Sequence, residues 1–214
     1  MLLRAYAAGI FPMAESADAL ELSWYDPPIR ALIPLDEAFH VSRSLRRTLK
    51  KKIYRVTLNH AFEDVMRGCA ESKMGRETTW INGEIMRLYT ALHSNGHAHS
   101  IEVWDNDDLV GGLYGVSLGT AFFGESMFSR KKNASKIALV HLVALLRHSY
   151  YTLLDTQFQT PHLARFGTFE IARSAYHLLL QSAVEKQGAL FPIEPDWDYL
   201  LEETLSLQPV TQIS

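Results

Sequence analysis

Hydrophobic and polar positions repeat with different periods along this chain, and the changes of period mark its elements. From Asn82, apolar residues at Ile85, Leu88, Tyr89 and Leu92 recur at helical spacing, with Asn82 placed to cap the helix and Gly96 to end it. Ser42 is a plausible cap for a second helix running to Lys52, whose apolar side is Leu45 and Leu49. Asn59 is expected to cap a third, over about Ala61 to Glu71. The run ASKIALVHLVALLRH, with Asn133 before it as cap, is apolar nearly all round and predicts a central buried helix. PHLARFG predicts a short helix and ARSAYHLLLQSAV the last clear one, while the tail after Gly188 reads as irregular. Tyr54–Leu58 reads as a strand by its β-branched content; AHSIEVW and LVGGLYGV form a hairpin around DNDD, and GTAFFGES and YTLLDTQF read as further strands.

Residues 1–40 are punctuated by Pro12, Pro27, Pro28 and Pro34. They suggest a short helix ending at Gly9 and short strands near Leu22–Tyr25 and Ala31–Ile33. The chain therefore divides into a small N-terminal α/β subdomain over 1–40 and a larger domain over 41–214. After residue 53 the order is strand, two helices, a three-strand meander, helix, strand, helix. That predicts an α+β protein with a mixed sheet flanked by helices. The order resembles the acyltransferase (GNAT-type) fold of N-acetyltransferases. Acyl-CoA enzymes of that fold place a glycine-rich loop after the meander, where bare backbone N–H groups hold pyrophosphate. Here the linker is MFSRKKNASK, with cations and no glycine, which argues against acyl-CoA and for a larger polyanion.

Composition narrows this only slightly. A net charge of −3 over 214 residues gives no global sign of nucleic acid, so the distribution of charge decides. One cysteine, Cys69, excludes an intramolecular disulfide and a zinc site built on several thiolates, and fits a reducing compartment. The longest apolar run, IALVHLVALL, falls well short of the roughly 20 residues a membrane span needs. A soluble, cytoplasmic protein with no membrane partner is expected.

Charge is uneven. Within Ser42–Lys52, Arg43, Arg46, Arg47, Lys50 and Lys51 fall within roughly 140° of arc, and no acid interrupts residues 43–55. Such a face is either solvated surface or a site for phosphates. In GTAFFGESMFSRKKNASK, Glu125 stands among Phe122, Met127 and Phe128, just ahead of Arg130, Lys131, Lys132 and Lys136. A carboxylate among hydrophobes, followed by cations, suits a pocket for an apolar group and a cationic one beside a phosphate path. Asp155 and Gln157, two apart on a strand, are expected on one face, where the carboxylate would orient the amide and the amide would accept a hydrogen bond from an amine. Trp24, Trp80 and Trp104 are core residues or platforms for a base. His97 and His99 lack a third ligand at useful spacing, so no metal is expected. Ser126 lies in G-E-S-M and not in the G-x-S-x-G elbow of serine hydrolases.

Taken together, AYAAGIFPM, WYDPPIRA, HVSRSLRR, TTWI, LHSNGHAHSIEVW, LVGGLYGVSLGTAFFGESMFSRKKNASKIAL and LLDTQF resemble the leucyl/phenylalanyl-tRNA–protein transferase family, from about residue 3 to residue 180. The resemblance implies transfer of leucine or phenylalanine from leucyl-tRNA or phenylalanyl-tRNA to proteins with N-terminal arginine or lysine, creating a degradation signal, without cofactor or metal. Weak use of methionine and a monomeric state are also expected. It further implies roles for single residues. Phe122, Gly124, Glu125, Met127, Leu139, Leu142, Leu154 and Gln157, with Leu113, would line the aminoacyl pocket. Trp24 and Trp80 would hold the terminal adenosine, and Asp155, Gln157 and Glu125 would serve the transfer step. Arg43, Arg46, Arg47 and Lys50, with Arg130 and Lys131, would meet tRNA phosphates. Leu113 and Leu142 stand where a methionine and a phenylalanine are familiar, which implies a differently shaped pocket. An acyl-CoA-dependent N-acetyltransferase and a non-catalytic RNA-binding module are the alternatives.

Overall fold

The computed structural model describes residues 1–19, 21–71, 79–187, 191 and 194–207. The chain opens with α1 (Leu2–Ala7), β1 (Phe11–Met13), β2 (Ser23–Tyr25), β3 (Ile29–Ile33), α2 (Arg43–Lys50), β4 (Arg55–Leu58), α3 (Phe62–Ala70) and α4 (Gly83–Ser94). It continues with β5 (Ala98–Asp105), β6 (Asp108–Leu118), β7 (Ala121–Ser129), α5 (Ala134–His148), β8 (Leu153–Gln157), a 3₁₀ turn (Leu163–Phe166), β9 (Phe169–Ala172), α6 (Arg173–Val184) and α7 (Trp197–Ser206). Seven strands form one sheet in the order β4-β5-β6-β7-β8-β3-β9, and β1 and β2 pair separately. Within the sheet β7 and β8 pair in parallel, joined by the α5 crossover, and the other neighbours are antiparallel. A mixed sheet flanked by helices is thus what the residue pattern predicted. β3, which falls within residues 1–40, lies inside this sheet between β8 and β9.

Two cores form because successive strand side chains point to opposite faces. Ile33, Leu113, Phe122 and Leu154 pack toward α2, α5 and α7. Their chain neighbours Leu32, Tyr114, Phe123 and Leu153 pack toward α1, α3, α4 and α6. On α5 only Lys136, Arg147 and His148 escape burial, as its all-round apolarity requires. Each fully buried Leu, Ile or Phe on these faces contributes on the order of 1.5–3 kcal/mol, and together they hold both helix layers to the sheet.

Capping follows the sequence in part. Ser42 and Asn82 accept from the amides of Leu45 and Ile85, as expected. Gly9 and Gly96 take the positive φ that ends α1 and α4. Asn59 does not cap α3. Its backbone is left-handed and its side chain instead accepts from the Ser100 amide, extending the β4–β5 edge. Asn133 precedes α5 but makes no side-chain cap; the Ser129 hydroxyl receives the Ser135 amide in its place.

β7 runs through to Ser129, past its expected end at Ser126, because it stays paired with β6 beyond a bulge. The short strands β1 and β9 carry too few residues to show a period. The tail, expected to be irregular after Gly188, contains α7, capped by Asp196 and packed on α5. Gly188 itself and Thr78 of the TTWI motif lie outside the described residues.

Candidate active site

The site begins with one extra residue. Tyr114 pairs with Ser126 and Gly115 with Gly124, so Glu125 has no opposite number on β6. This β-bulge inverts the alternation of β7. Phe123 and Phe128, five apart, both join the core on the α1/α3/α4/α6 side. β7 and β8 pair only from Ala121–Phe123 to Leu153–Asp155, and the strands part beyond that point.

A cavity of about 580 Å³ opens where they part, within the range of small-molecule sites. Leu113, Met127, Leu139, Leu142 and Leu154 form an apolar wall; Phe11, Met13, Trp80 and Phe158 add to it, and Gly124, Glu125, Gln157 and His162 supply polar edges. A Cβ added at Gly124 would meet only the Asp155 carbonyl oxygen, at 3.6 Å. Phe122 is fully buried in the α5-side core and is not part of the lining.

Two carboxylates lie beside this cavity in different surroundings. Glu125 accepts from the hydroxyls of Tyr6 (2.6 Å) and Tyr89 (3.1 Å), and these two hydroxyls also contact each other. Part of Glu125 faces the cavity, yet its carboxyl lies deep. Burial pushes it up from 4.5 to about 7; the two hydroxyls act against that, Asp155 adds to it and Arg30 opposes it.

Asp155 is completely buried. It receives Nε (3.1 Å) and Nη2 (2.7 Å) of Arg30, the hydroxyl of Tyr176 (2.7 Å) and the backbone N–H of Gln157 (2.8 Å). Burial works against the Arg30 charge and Asp155 more than restores it.

Asp155 and Gln157 do not share a face as expected. They oppose consecutive β3 residues, Leu32 and Ala31, because Thr156 is extra in that ladder. Gln157 also has a left-handed backbone (φ 58°), rare for a residue other than glycine. Asp155 therefore holds the Gln157 backbone and not its side-chain amide. With its nitrogen toward the sheet, that amide donates to the carbonyl oxygens of Gly124 (2.9 Å) and Thr156 (3.1 Å). Its oxygen is left as an acceptor.

The remaining sequence-derived residues are dispersed. Trp80 lines the cavity, whereas Trp24, half exposed, lines a separate cleft with Leu22, Asn82 and Arg87. Trp104 donates to the Thr57 hydroxyl and stacks under Arg55. On α2, Leu45 and Leu49 are buried and Arg43, Arg47 and Lys50 are exposed. Arg46 differs: it folds back onto the Leu205 carbonyl of α7 and the Val41 carbonyl. Arg130 is paired with Glu71 and Lys131 with Asp105. His99 contacts Asn59, and burial lowers it to about 4. Among the described residues no group of three or more His, Cys, Asp or Glu is placed to hold a metal ion. None of their helices is long and apolar enough to cross a membrane.

Several site residues escaped the sequence reading: Tyr6, Phe11, Met13, Arg30, Tyr89, His162 and Tyr176. Arg30 carried a signal. It is a lone cation in the apolar strand IRALI, and a buried charge must be paired.

With this geometry in hand, comparison with known proteins identifies the chain's relatives. The family described as leucyl/phenylalanyl-tRNA protein transferase matches residues 32–181, and the N-terminal domain of the same family matches residues 1–28. The leucyl/phenylalanyl-tRNA–protein transferase of Maricaulis maris (strain MCS10) is 54% identical over 216 residues, covering 100% of this chain and 96% of that protein. Those of Paramagnetospirillum magneticum (strain ATCC 700264 / AMB-1) and Rhodopseudomonas palustris (strain TIE-1) are 56% and 52% identical, over 86% and 97% of this chain and 88% and 92% of the relatives. A likeness to the structure of L-PGS from Bacillus licheniformis has a TM-score of 0.41 at 14% identity, over 75% of this chain and 53% of that one, and is too weak to fix a fold family. Matched along nearly its whole length, and carrying an apolar cavity edged by the carboxylate of Glu125, the chain belongs to the leucyl/phenylalanyl-tRNA protein transferase family and is an aminoacyl-transferring enzyme.

Proposed function

We propose that the protein moves leucine or phenylalanine, and methionine weakly, from aminoacyl-tRNA to the N-terminal arginine or lysine of acceptor proteins, giving them an N-terminal degradation signal. The observation that carries this reading is the cavity, whose Leu113, Met127, Leu139, Leu142 and Leu154 wall suits an apolar side chain, with Glu125 and Gln157 at its edge. Such a wall cannot hydrate a charge, so charged aminoacyl groups are excluded. It separates apolar groups differing by a methylene by only about 1–3 kcal/mol, which leaves room for methionine.

The aminoacyl ester is already activated, so the main task is positioning the acceptor amine, and effective molarity lowers the barrier by as much as roughly 7–11 kcal/mol. The Gln157 amide oxygen accepts from the amine, and Asp155 sets Gln157 in place. Glu125 engages a cationic group of the substrates, either the α-ammonium of the donor or the basic side chain of the acceptor. Trp80 and Trp24 hold the terminal adenosine. Gly124 shapes the pocket floor, and Phe122 packs behind it in the core. The exposed Arg43, Arg47 and Lys50, with Arg46, Arg130 and Lys131, follow the tRNA backbone.

The sheet, with a parallel pair that parts after three residues beside a bulge, supports an acyltransferase (GNAT-type) architecture. Residues 1–40 act as a small subdomain that brings Tyr6, Phe11 and Met13 to the catalytic unit of 41–214. A cytoplasmic monomer is consistent with the buried thiol of Cys69, the single cysteine of the sequence. Acyl-CoA is disfavoured, because the Ser135 amide at the start of α5 is taken by Ser129 and the Ala134 amide by the Lys131 carbonyl.

The test is transfer of labelled leucine from leucyl-tRNA to a protein with exposed N-terminal arginine. Transfer is expected. RNA binding without transfer would establish the non-catalytic reading instead.

A further inference from the structure

Arg30 lies deep in the sheet, 1% exposed, and does not itself line the cavity. Each of its three nitrogens nonetheless donates a hydrogen bond. Nε and Nη2 grip both oxygens of Asp155, and Nη1 donates to the Gly9 carbonyl at 2.7 Å. Its flat faces lie against Phe11, at 4.8 Å from the ring centre, and Tyr176, at 4.2 Å. Phe11 in turn lines the cavity. On the far side of Asp155, Oδ1 receives the Gln157 amide N–H, in a residue whose left-handed backbone costs free energy to hold. Two fixed elements thus meet at one carboxylate: a planar cation clamped by the N-terminal segment, and a strained turn that aims an amide across the gap between β7 and β8.

We propose that Arg30 is a positioning residue for transfer: by fixing Asp155 from behind, it holds the Gln157 turn in the one orientation that leaves the amide oxygen facing the acceptor amine. This rests on the reading of Gln157 given above. A lysine cannot do the same, because a point charge on a flexible stem lacks the fork that binds both oxygens and the plane that stacks between two rings. A shift of the Gln157 amide by about 1 Å is enough to lose on the order of 10²-fold in rate. Binding of the tRNA body is not involved, since nothing in this chain of contacts reaches the surface.

The experiment measures single-turnover transfer from an aminoacylated adenosine and from full tRNA, together with thermal unfolding, in five variants, the fifth being Gln157→Ala. Arg30→Lys should lower kcat on both donors by about 10²-fold while KM changes only a few-fold. Arg30→Ala should fall at least as far and regain part of its rate when millimolar guanidinium is added, since the ion fits between Phe11 and Tyr176. The charge-free pair Arg30→Met with Asp155→Leu should recover the unfolding temperature lost by Arg30→Met alone, yet stay slow.

Wild-type kcat in Arg30→Lys, or a double variant that regains both stability and rate, would overturn the proposal. It would leave the Gln157 reading standing, provided that Gln157→Ala is slow. If Gln157→Ala transfers at the wild-type rate, the site reading itself fails, whatever Arg30 does.

Discussion

The end of β8 and the bulge of β7 each carry a buried carboxylate, on neighbouring strands, and the two could hardly be less alike. Asp155 has a guanidinium, a phenol and a backbone N–H, all donating to it. Glu125 has two phenols and an open side toward the cavity. The first is held in a complete shell of donors. The second is a group that exchanges its proton near neutral pH. Burial alone therefore does not decide what an acid does; the partners do. One carboxylate can build the site and the other can respond to what enters it.

The largest effect should come from breaking the complete shell. Asp155→Asn leaves Arg30 facing a neutral amide, and removing one partner of a buried ion pair costs roughly 3–5 kcal/mol. Unfolding by denaturant should register a loss of that order, and the transfer rate should drop by about 10²–10⁴-fold, as for positioned proton-transfer groups. An unchanged rate would place Asp155 outside the chemistry.

The open shell should answer to pH. Glu125 binds its proton more tightly folded, at about 7, than unfolded, at 4.5. The stability it contributes is fully present below pH 4.5 and is lost as pH rises through about 7. Glu125→Gln should abolish that loss, seen as a flatter unfolding free energy across the interval. The same variant should remove the rise in kcat/KM as wild-type pH passes 7, if the ionised form is what meets the substrate cation.

A smaller effect tests the wall they share. Leu142→Phe fills part of the cavity and should shift donor preference from phenylalanine toward leucine by roughly tenfold in kcat/KM, the scale available to apolar discrimination. Competition between the two charged tRNAs reads this ratio directly.

The smallest effect per residue belongs to the surface. Arg43, Arg47 and Lys50 changed to alanine should each weaken tRNA binding a few-fold and flatten its salt dependence, with a slope change of about 0.9 per phosphate lost. Leucyl and phenylalanyl tRNAs should suffer equally, and an aminoacylated adenosine hardly at all. Arg46 is left out of that series because its alanine variant would also release the carbonyl of Leu205 and loosen α7.

What could be read from the sequence follows the same division. The sheet and the buried α5 were legible because periodicity and side-chain chemistry are local, whereas the apolar wall, gathered from β6, β7, α5 and β8, came only with the family resemblance. Glu125 was legible as a carboxylate among hydrophobes. Its bulge was not, since only the pairing with β6 reveals that one residue is extra. The assumption that Asp155 and Gln157 share a face failed for the same reason, at Thr156. Tyr6 and Tyr89 lie 83 residues apart, and nothing local to either marks the contact. Arg30 did carry a local signal, as a lone cation in an apolar strand. So did α7, which Asp196 caps and along which Leu200, Leu201 and Leu205 recur.

The bulge has one more consequence. On either side of it β6 and β7 keep their pairing, Leu113 with Met127 and Val116 with Phe123. Loss of a single codon at position 125 would therefore close the ladder into an uninterrupted one, with every other partner unchanged. Insertions and deletions in a central strand ordinarily scramble inside and outside for the rest of its length. At this position one is silent for the pairing yet removes a carboxylate from the cavity edge. Glu125 is thus an addition that the sheet can carry or shed, and a lineage could gain or lose it in one mutational step without having to relearn how to fold.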